Sequence, residues 1–253
     1  IERCDSMKDI PLYQTREILN LREMLKSSAG LYSDKPAFLV KSKEAGKYEP
    51  ISYSQFDAHV DAAGTALTDM GLGGKRIALI GENRYEWAVS YLAVVNGTGV
   101  IVPIDKELPP GEIENLLEKA GVSAVIFSGS KREEIMNISE NTGQVDFYID
   151  MDACENTDGV IAFAKLLEKG AELIGKGDSR FKDAEIDGRE MNILLFTSAT
   201  TDKPKAVMLS HENICSNLTA MSSMTYIGSD DIFLSVLPLH HTYERTCGFL
   251  CPI

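Results

Sequence analysis

The sequence predicts an α/β fold: parallel-rich sheets flanked by helices, built as two packed subdomains of which the second is incomplete. Two observations carry this. Short β-branched runs alternate with longer amphipathic stretches along most of the 253 residues, and such alternation favours parallel strands with helices on the sheet faces. The run Ile77-Ala78-Leu79-Ile80 after Arg76 is also continuously apolar, the pattern of a strand buried on both faces.

Each element has its own signal. Ile18, Leu21, Met24 and Leu25 share one side of a helix expected from about Thr15 to Ser28. Residues 37–40 and 49–53 read as a strand pair around an Ala45-Gly46-Lys47 turn. Ser52 with Gln55 three residues on is a capping-box signature, opening a helix to Gly71 with Phe56, Val60, Ala63 and Leu67 at helical spacing. After the glycine break at 71–74 come a strand at 76–80, a helix at about 85–96 and a strand at 100–104. Pro109 and Pro110 start a helix with Ile113, Leu116, Leu117 and Ala120 as its stripe. A strand at 123–127, a short helix at 132–139 and a strand at 145–149 follow. Residues 150–189 are more polar, with one helix near 161–174, and lead to the apolar run Ile193-Leu194-Leu195-Phe196 and a helix start at Ser210. The expected division is 1–188 for the first subdomain and 189–253 for the start of the second.

Composition narrows the function. The formal charge is −13, from 38 acidic and 25 basic residues, with no basic tract, which works against binding a nucleic-acid backbone. The five cysteines, Cys4, Cys154, Cys215, Cys247 and Cys251, are odd in number and scattered, so reduced thiols and a cytoplasmic location are expected. No run approaches the roughly 18 apolar residues of a membrane span, which leaves peripheral membrane contact and oligomeric state open. A first residue other than Met and a last residue inside an apolar segment lead us to expect a fragment.

The densest chemistry lies between Phe196 and Val207, where Thr197, Ser198, Thr200, Thr201, Lys203 and Lys205 fall close together. Hydroxyls, backbone amides and lysines at a strand-to-helix loop suit a polyphosphate, because oriented N–H groups and fixed positive charge oppose its oxygens. Thr, Ser, Asp and Pro are also ordinary turn formers, so a plain turn remains open on composition alone. A Walker A loop is excluded, since no Gly-x4-Gly-Lys-Ser/Thr spacing occurs.

Residues 196–211, FTSATTDKPKAVMLSH, resemble the phosphate-loop signature of the adenylate-forming, AMP-binding enzymes that activate acyl groups. Leu237 to Glu244, LPLHHTYE, is similar to the next motif of that family in its long-chain fatty acid–CoA ligase form. Gly81 to Trp87 and Val102 to Leu108 resemble the same subgroup, so the likeness runs from about Tyr13 to the last residue. It implies a reaction in which a carboxylate and ATP give an acyl-adenylate and pyrophosphate, and coenzyme A then displaces AMP. It also implies that Thr197, Ser198, Ala199, Thr200, Thr201 and Lys203 form the ATP cradle. Lys205 would add charge as pyrophosphate leaves, His241 would sit beside the acyl–phosphate junction, and Tyr243 near the acyl pocket. ATP and Mg2+ are the implied cofactors, and a fatty acid and coenzyme A the substrates.

Departures from the family pattern set the alternative. Ala199, Asp202 and Ala206 stand where the signature has glycine. A methyl at 199 disfavours positive φ by roughly 1–2 kcal/mol, and Asp202 puts a carboxylate beside phosphate, with Lys203 adjacent to offset it. The downstream adenine and ribose motifs, the magnesium-ligating glutamate and the C-terminal lysine domain have no counterpart in these 253 residues, so the fragment alone is expected to be inactive. The alternative is a non-catalytic binding or interaction protein on the same fold with a degenerate phosphate loop. A zinc site at His240, His241, Cys247 and Cys251 has unfavourable spacing, and buried free cysteine is the simpler expectation. Trp87 and Tyr91 read as helix core, and His59 and His211 as surface or cap residues.

Overall fold

A computed structural model describes residues 12–42, 46–139, 143, 145–157, 159–197 and 205–253. The first helix, α1 (Leu21–Tyr32), begins later than its apolar spacing predicts. Asn20 is extended and its Oδ1 accepts from the Glu23 N–H at 2.9 Å, so an N-cap sets the boundary. Strands β1 (Pro36–Lys41) and β2 (Tyr48–Ser52) pair antiparallel as expected; Ala45 of their turn lies outside the described residues. Helix α2 (Tyr53–Asp69) opens on the expected capping box, with Ser52 and Gln55 each accepting from the other's backbone N–H. Phe56, Val60, Ala63 and Leu67 are all buried on it.

The remaining strands build one seven-stranded sheet: β3 (Arg76–Ile80), β4 (Val100–Ile104), β5 (Ala124–Phe127), β6 (Phe147–Asp150), β7 (Val160–Ala162), β8 (Met191–Thr197) and β9 (Lys205–Ser210). Their spatial order is β7-β6-β5-β3-β4-β8-β9, all parallel except β9, which pairs antiparallel with β8 at the edge. Neither β7 nor β9 is expected from the sequence. β7 has only three residues, and the first four residues of β9 are exposed.

Helices α3 (Tyr85–Ala93), α4 (Pro110–Ala120), α5 (Arg132–Ser139), α6 (Phe163–Gly175) and α7 (His211–Met224) cover this sheet. Successive residues of each central strand point to opposite faces, and the two faces hold two separate cores. Ile77, Leu79, Ile101, Ala124 and Ile126 pack with residues of α1, α2, α3, α6 and α7. Ala78, Ile80, Val102, Val125 and Phe127 pack with α4 and α5. Each fully buried Ile, Leu or Phe stabilises the fold by about 1.5–3 kcal/mol, so these layers fix the register of the strand ends. Helix α3 stops at Ala93 in a π-turn over Val94–Thr98, where Gly97 at φ 136° takes a conformation that a larger residue resists. The chain closes with a short helical turn, α8 (Thr242–Glu244), running on into a π-turn at Arg245–Leu250.

Candidate active site

The carboxyl ends of the parallel strands are where an open α/β sheet offers a crevice. Strands β3 and β5, hydrogen-bonded neighbours, diverge in connection here, since the chain passes from β3 to β4 on one side and returns to β5 on the other. Glu82 follows β3, and Ser128 to Ser130 follow β5. The Ser128 Oγ accepts from the Glu82 N–H at 3.3 Å, and the Ser130 hydroxyl donates to the Glu82 carboxylate at 2.6 Å. Partial burial alone would raise the Glu82 carboxyl, but these hydroxyls and the Lys106 charge hold it down at about 2. Arg84 donates to Glu86 at 2.7 Å and to Asp152 at 2.6 Å, which ties the turn after β3 to the loop after β6.

At the far side of the sheet, Thr197 and Lys205 are direct cross-strand partners at the open end of β8 and β9, and both are exposed. Residues 198–204 therefore connect two antiparallel strands, which corrects the expected strand-to-helix loop. The apolar pairs Leu195–Val207 and Phe196–Ala206 bring the two ends together before the polar residues begin. Ser198, Ala199, Thr200, Thr201, Asp202 and Lys203 lie outside the described residues. Ala206 lies within β9, and among the described residues no non-glycine has positive φ, so its methyl meets no backbone conflict.

The second motif is held by the ends of β3 and β4. Asn83 donates to Ser235 Oγ at 2.8 Å and to the Leu237 carbonyl at 2.6 Å, and it accepts from the Leu239 N–H at 2.9 Å. His240 places Nε2 3.6 Å from the Asp105 carboxylate, yet burial keeps its pKa below the ordinary histidine value. The His241 ring is 4.2 Å from that of His240, and His241 is exposed at the start of α8. Tyr243 is 68% exposed. Between β1, α7 and residues 226–235 lies a cleft of about 1200 Å³ whose walls include Phe38, Tyr85, Tyr226, Leu234 and Phe249. Its described lining includes neither His241 nor Tyr243.

His211 departs from the expected surface or cap position: it is fully buried. Its Nδ1 accepts from the Leu21 N–H at 3.1 Å, and Nε2 meets the Val95 carbonyl at 2.9 Å. A carbonyl only accepts and a backbone N–H only donates, so the ring is neutral with its proton on Nε2. His59 is half-buried and shares a hydrogen bond of 2.7 Å with the Tyr85 hydroxyl. Trp87 and Tyr91 stack in the core as expected. Among the described residues no three His, Cys, Asp or Glu side chains converge as a metal set, and no helix is long and apolar enough to cross a membrane. The grip of Asn83 escapes sequence reasoning, because its partners lie 152 to 156 residues away.

Likeness to known proteins identifies the family. The chain is 29% identical to fatty acyl-CoA synthetase A of Dictyostelium discoideum, over 82% of this chain and 32% of that protein. It is 28% identical to long-chain-fatty-acid–CoA ligase 5 of Mus musculus, over 94% of this chain and 36% of that protein. It thus spans about a third of the length of these relatives. A long-chain-fatty-acid–CoA ligase from Archaeoglobus fulgidus shares the fold, with a TM-score of 0.79 at 18% identity, over 96% of this chain and 47% of that one. The sequence model of the AMP-binding enzymes matches residues 25–253, and the chain belongs to that family.

Proposed function

We propose that this chain is the N-terminal portion of an ATP-dependent acid–thiol ligase that adenylates a long-chain carboxylate and passes the acyl group to coenzyme A. The observation that carries the proposal is the Thr197–Lys205 pair, which brings a hydroxyl and a lysine together at the two ends of the polar segment 198–204. In this reading, Thr197, Ser198, Thr200 and Thr201 donate to the β- and γ-phosphates, and Ala199 and Lys203 complete the cradle. Lys205 offsets the charge that develops on departing pyrophosphate, the kind of electrostatic stabilisation that is usually the largest catalytic contribution. His241 stands beside the acyl–phosphate junction and Tyr243 beside the acyl chain. Mg2+ would neutralise the phosphates, held by a residue outside this segment. Residues 1–188 then form the first subdomain, and 189–253 begin the second while extending the same sheet.

The test is carboxylate-dependent exchange of labelled pyrophosphate into ATP, by purified protein carrying this segment within its full gene product. Exchange that rises from short to long acids is the expected result, and no exchange with any acid overturns the proposal. The 253 residues alone should form no acyl-CoA. Ala199 and Asp202 in place of the signature glycines favour a second reading, a non-catalytic member of the family that binds without adenylating. ATP binding without exchange identifies it.

A further inference from the structure

The segment leading to His241 makes no regular ladder among the described residues, and a single side chain on another strand end replaces one. Residues 231–238 contain no strand or helix, and Pro238 has no N–H to offer. Asn83, in the turn after β3, uses both ends of its amide here. Its Nδ2 donates to Ser235 Oγ and the Leu237 carbonyl, and its Oδ1 accepts from the Leu239 N–H. The main chain is thus gripped on either side of Pro238. From there the Pro238 carbonyl accepts from the His241 N–H at 3.0 Å, so the backbone that Asn83 holds at Leu237 and Leu239 is turned directly into His241. Next to β3, Ile80 and Ile104 pair in register, which brings Asp105 at the end of β4 to 3.6 Å from His240, too far for a hydrogen bond.

We propose that Asn83 is the positioning residue for His241, fixing the Leu237–His241 segment against the carboxyl end of β3. The proposal rests on the assignment of His241 to the acyl–phosphate junction. Only a planar side-chain amide of this length offers two donors and an acceptor to these three partners. Asp keeps an acceptor for the Leu239 N–H but turns a carboxylate toward the Leu237 carbonyl.

The test reads the segment directly, by site-resolved hydrogen exchange and histidine NMR on the full gene product. In Asn83→Ala, hydrogen exchange of the Leu239 amide should rise about tenfold and the His241 ring signals should shift, with the Ile126 amide in the sheet centre unchanged. Leu239 exchange within twofold of the parent and unmoved His241 signals overturn the proposal. Should Asn83→Ala loosen Ile126 as well, Asn83→Asp decides: His241 must shift while Ile126 stays protected, and an unmoved His241 overturns the proposal. In the full gene product, Asn83→Ala should lower kcat for pyrophosphate exchange at least tenfold with KM for ATP unchanged. If the NMR signals move but the unsubstituted protein shows no exchange with any acid, the ligase assignment falls and the grip of Asn83 on the segment stands.

Discussion

Thr197 and Lys205 face one another as the last pair of the β8–β9 ladder, at an exposed edge of the sheet. Their chemistry is therefore separable from folding. Neither side chain fills a core, and surface substitutions of this kind usually move stability by no more than about 0.5 kcal/mol. Lys205→Ala should leave the urea midpoint nearly unchanged while pyrophosphate exchange by the full gene product falls about 10²–10³-fold, the scale of losing one stabilising group at developing charge. A large drop in stability instead would assign Lys205 to the sheet.

The three lost glycines are not equivalent. Ala206 lies in β9 with ordinary extended backbone, so Ala206→Gly relieves nothing and should destabilise the chain by about 0.5–1 kcal/mol through backbone entropy. Asp202→Gly removes a carboxylate from beside the proposed phosphate position and should tighten ATP several-fold. Urea denaturation checks Ala206→Gly and calorimetric titration with ATP checks Asp202→Gly, and ATP affinity unchanged by Ala199→Gly and Asp202→Gly would mean that these positions do not weaken the loop.

The legible parts of the fold are those with local causes. The Ser52–Gln55 box joins residues three apart, and the α4 stripe repeats within one helix, so both could be read directly. Asn20 shows a local signal outweighing a periodic one: Ile18 fits the apolar side of α1, yet the cap two residues later decides the start. β9 is carried by the four-residue apolar run Ala206–Leu209, too short for periodicity to separate strand from helix, and three of those four residues are exposed rather than in a core. At the site, the Thr, Ser and Lys residues could be named from composition and resemblance, but the antiparallel pairing that joins Thr197 to Lys205 could not. The roles of His211 and Asn83 are not legible in sequence for one reason: the partners of each lie more than 100 residues away.

Packing of α2 on α6 turns on one missing methyl. A Cβ built on Gly170 would overlap the Ala62 carbonyl, whereas Gly175 in the same helix has open space around it. Gly170→Ala must push the helices apart and should destabilise by about 1–3 kcal/mol. Gly175→Ala should be neutral or stabilise by up to about 1 kcal/mol. Paired urea denaturation curves check this, and equal effects at the two positions would mean that α6 moves freely over α2.

The buried His211 ring gives the fold a pH dependence whose sign follows from its two partners. Burial lowers its pKa below the ordinary 6.5, opposed by the bond to Val95, so the unfolded chain takes up this proton more readily than the folded one. Its contribution is fully present above about pH 6.5 and is lost as the pH falls through the lower, folded value. Protonation converts Nδ1 into a donor facing the Leu21 N–H, which leaves both groups without an acceptor at the start of α1. His59 and His240, also held low by burial, act in the same sense, so the readout is the difference between two proteins. His211→Gln should lose about 1–3 kcal/mol at neutral pH, through imperfectly paired Leu21 and Val95 groups, and should lose less on acidification than the parent does. Urea midpoints between pH 5 and 8 measure both effects, and parallel pH profiles for the two proteins would show that His211 does not titrate with unfolding.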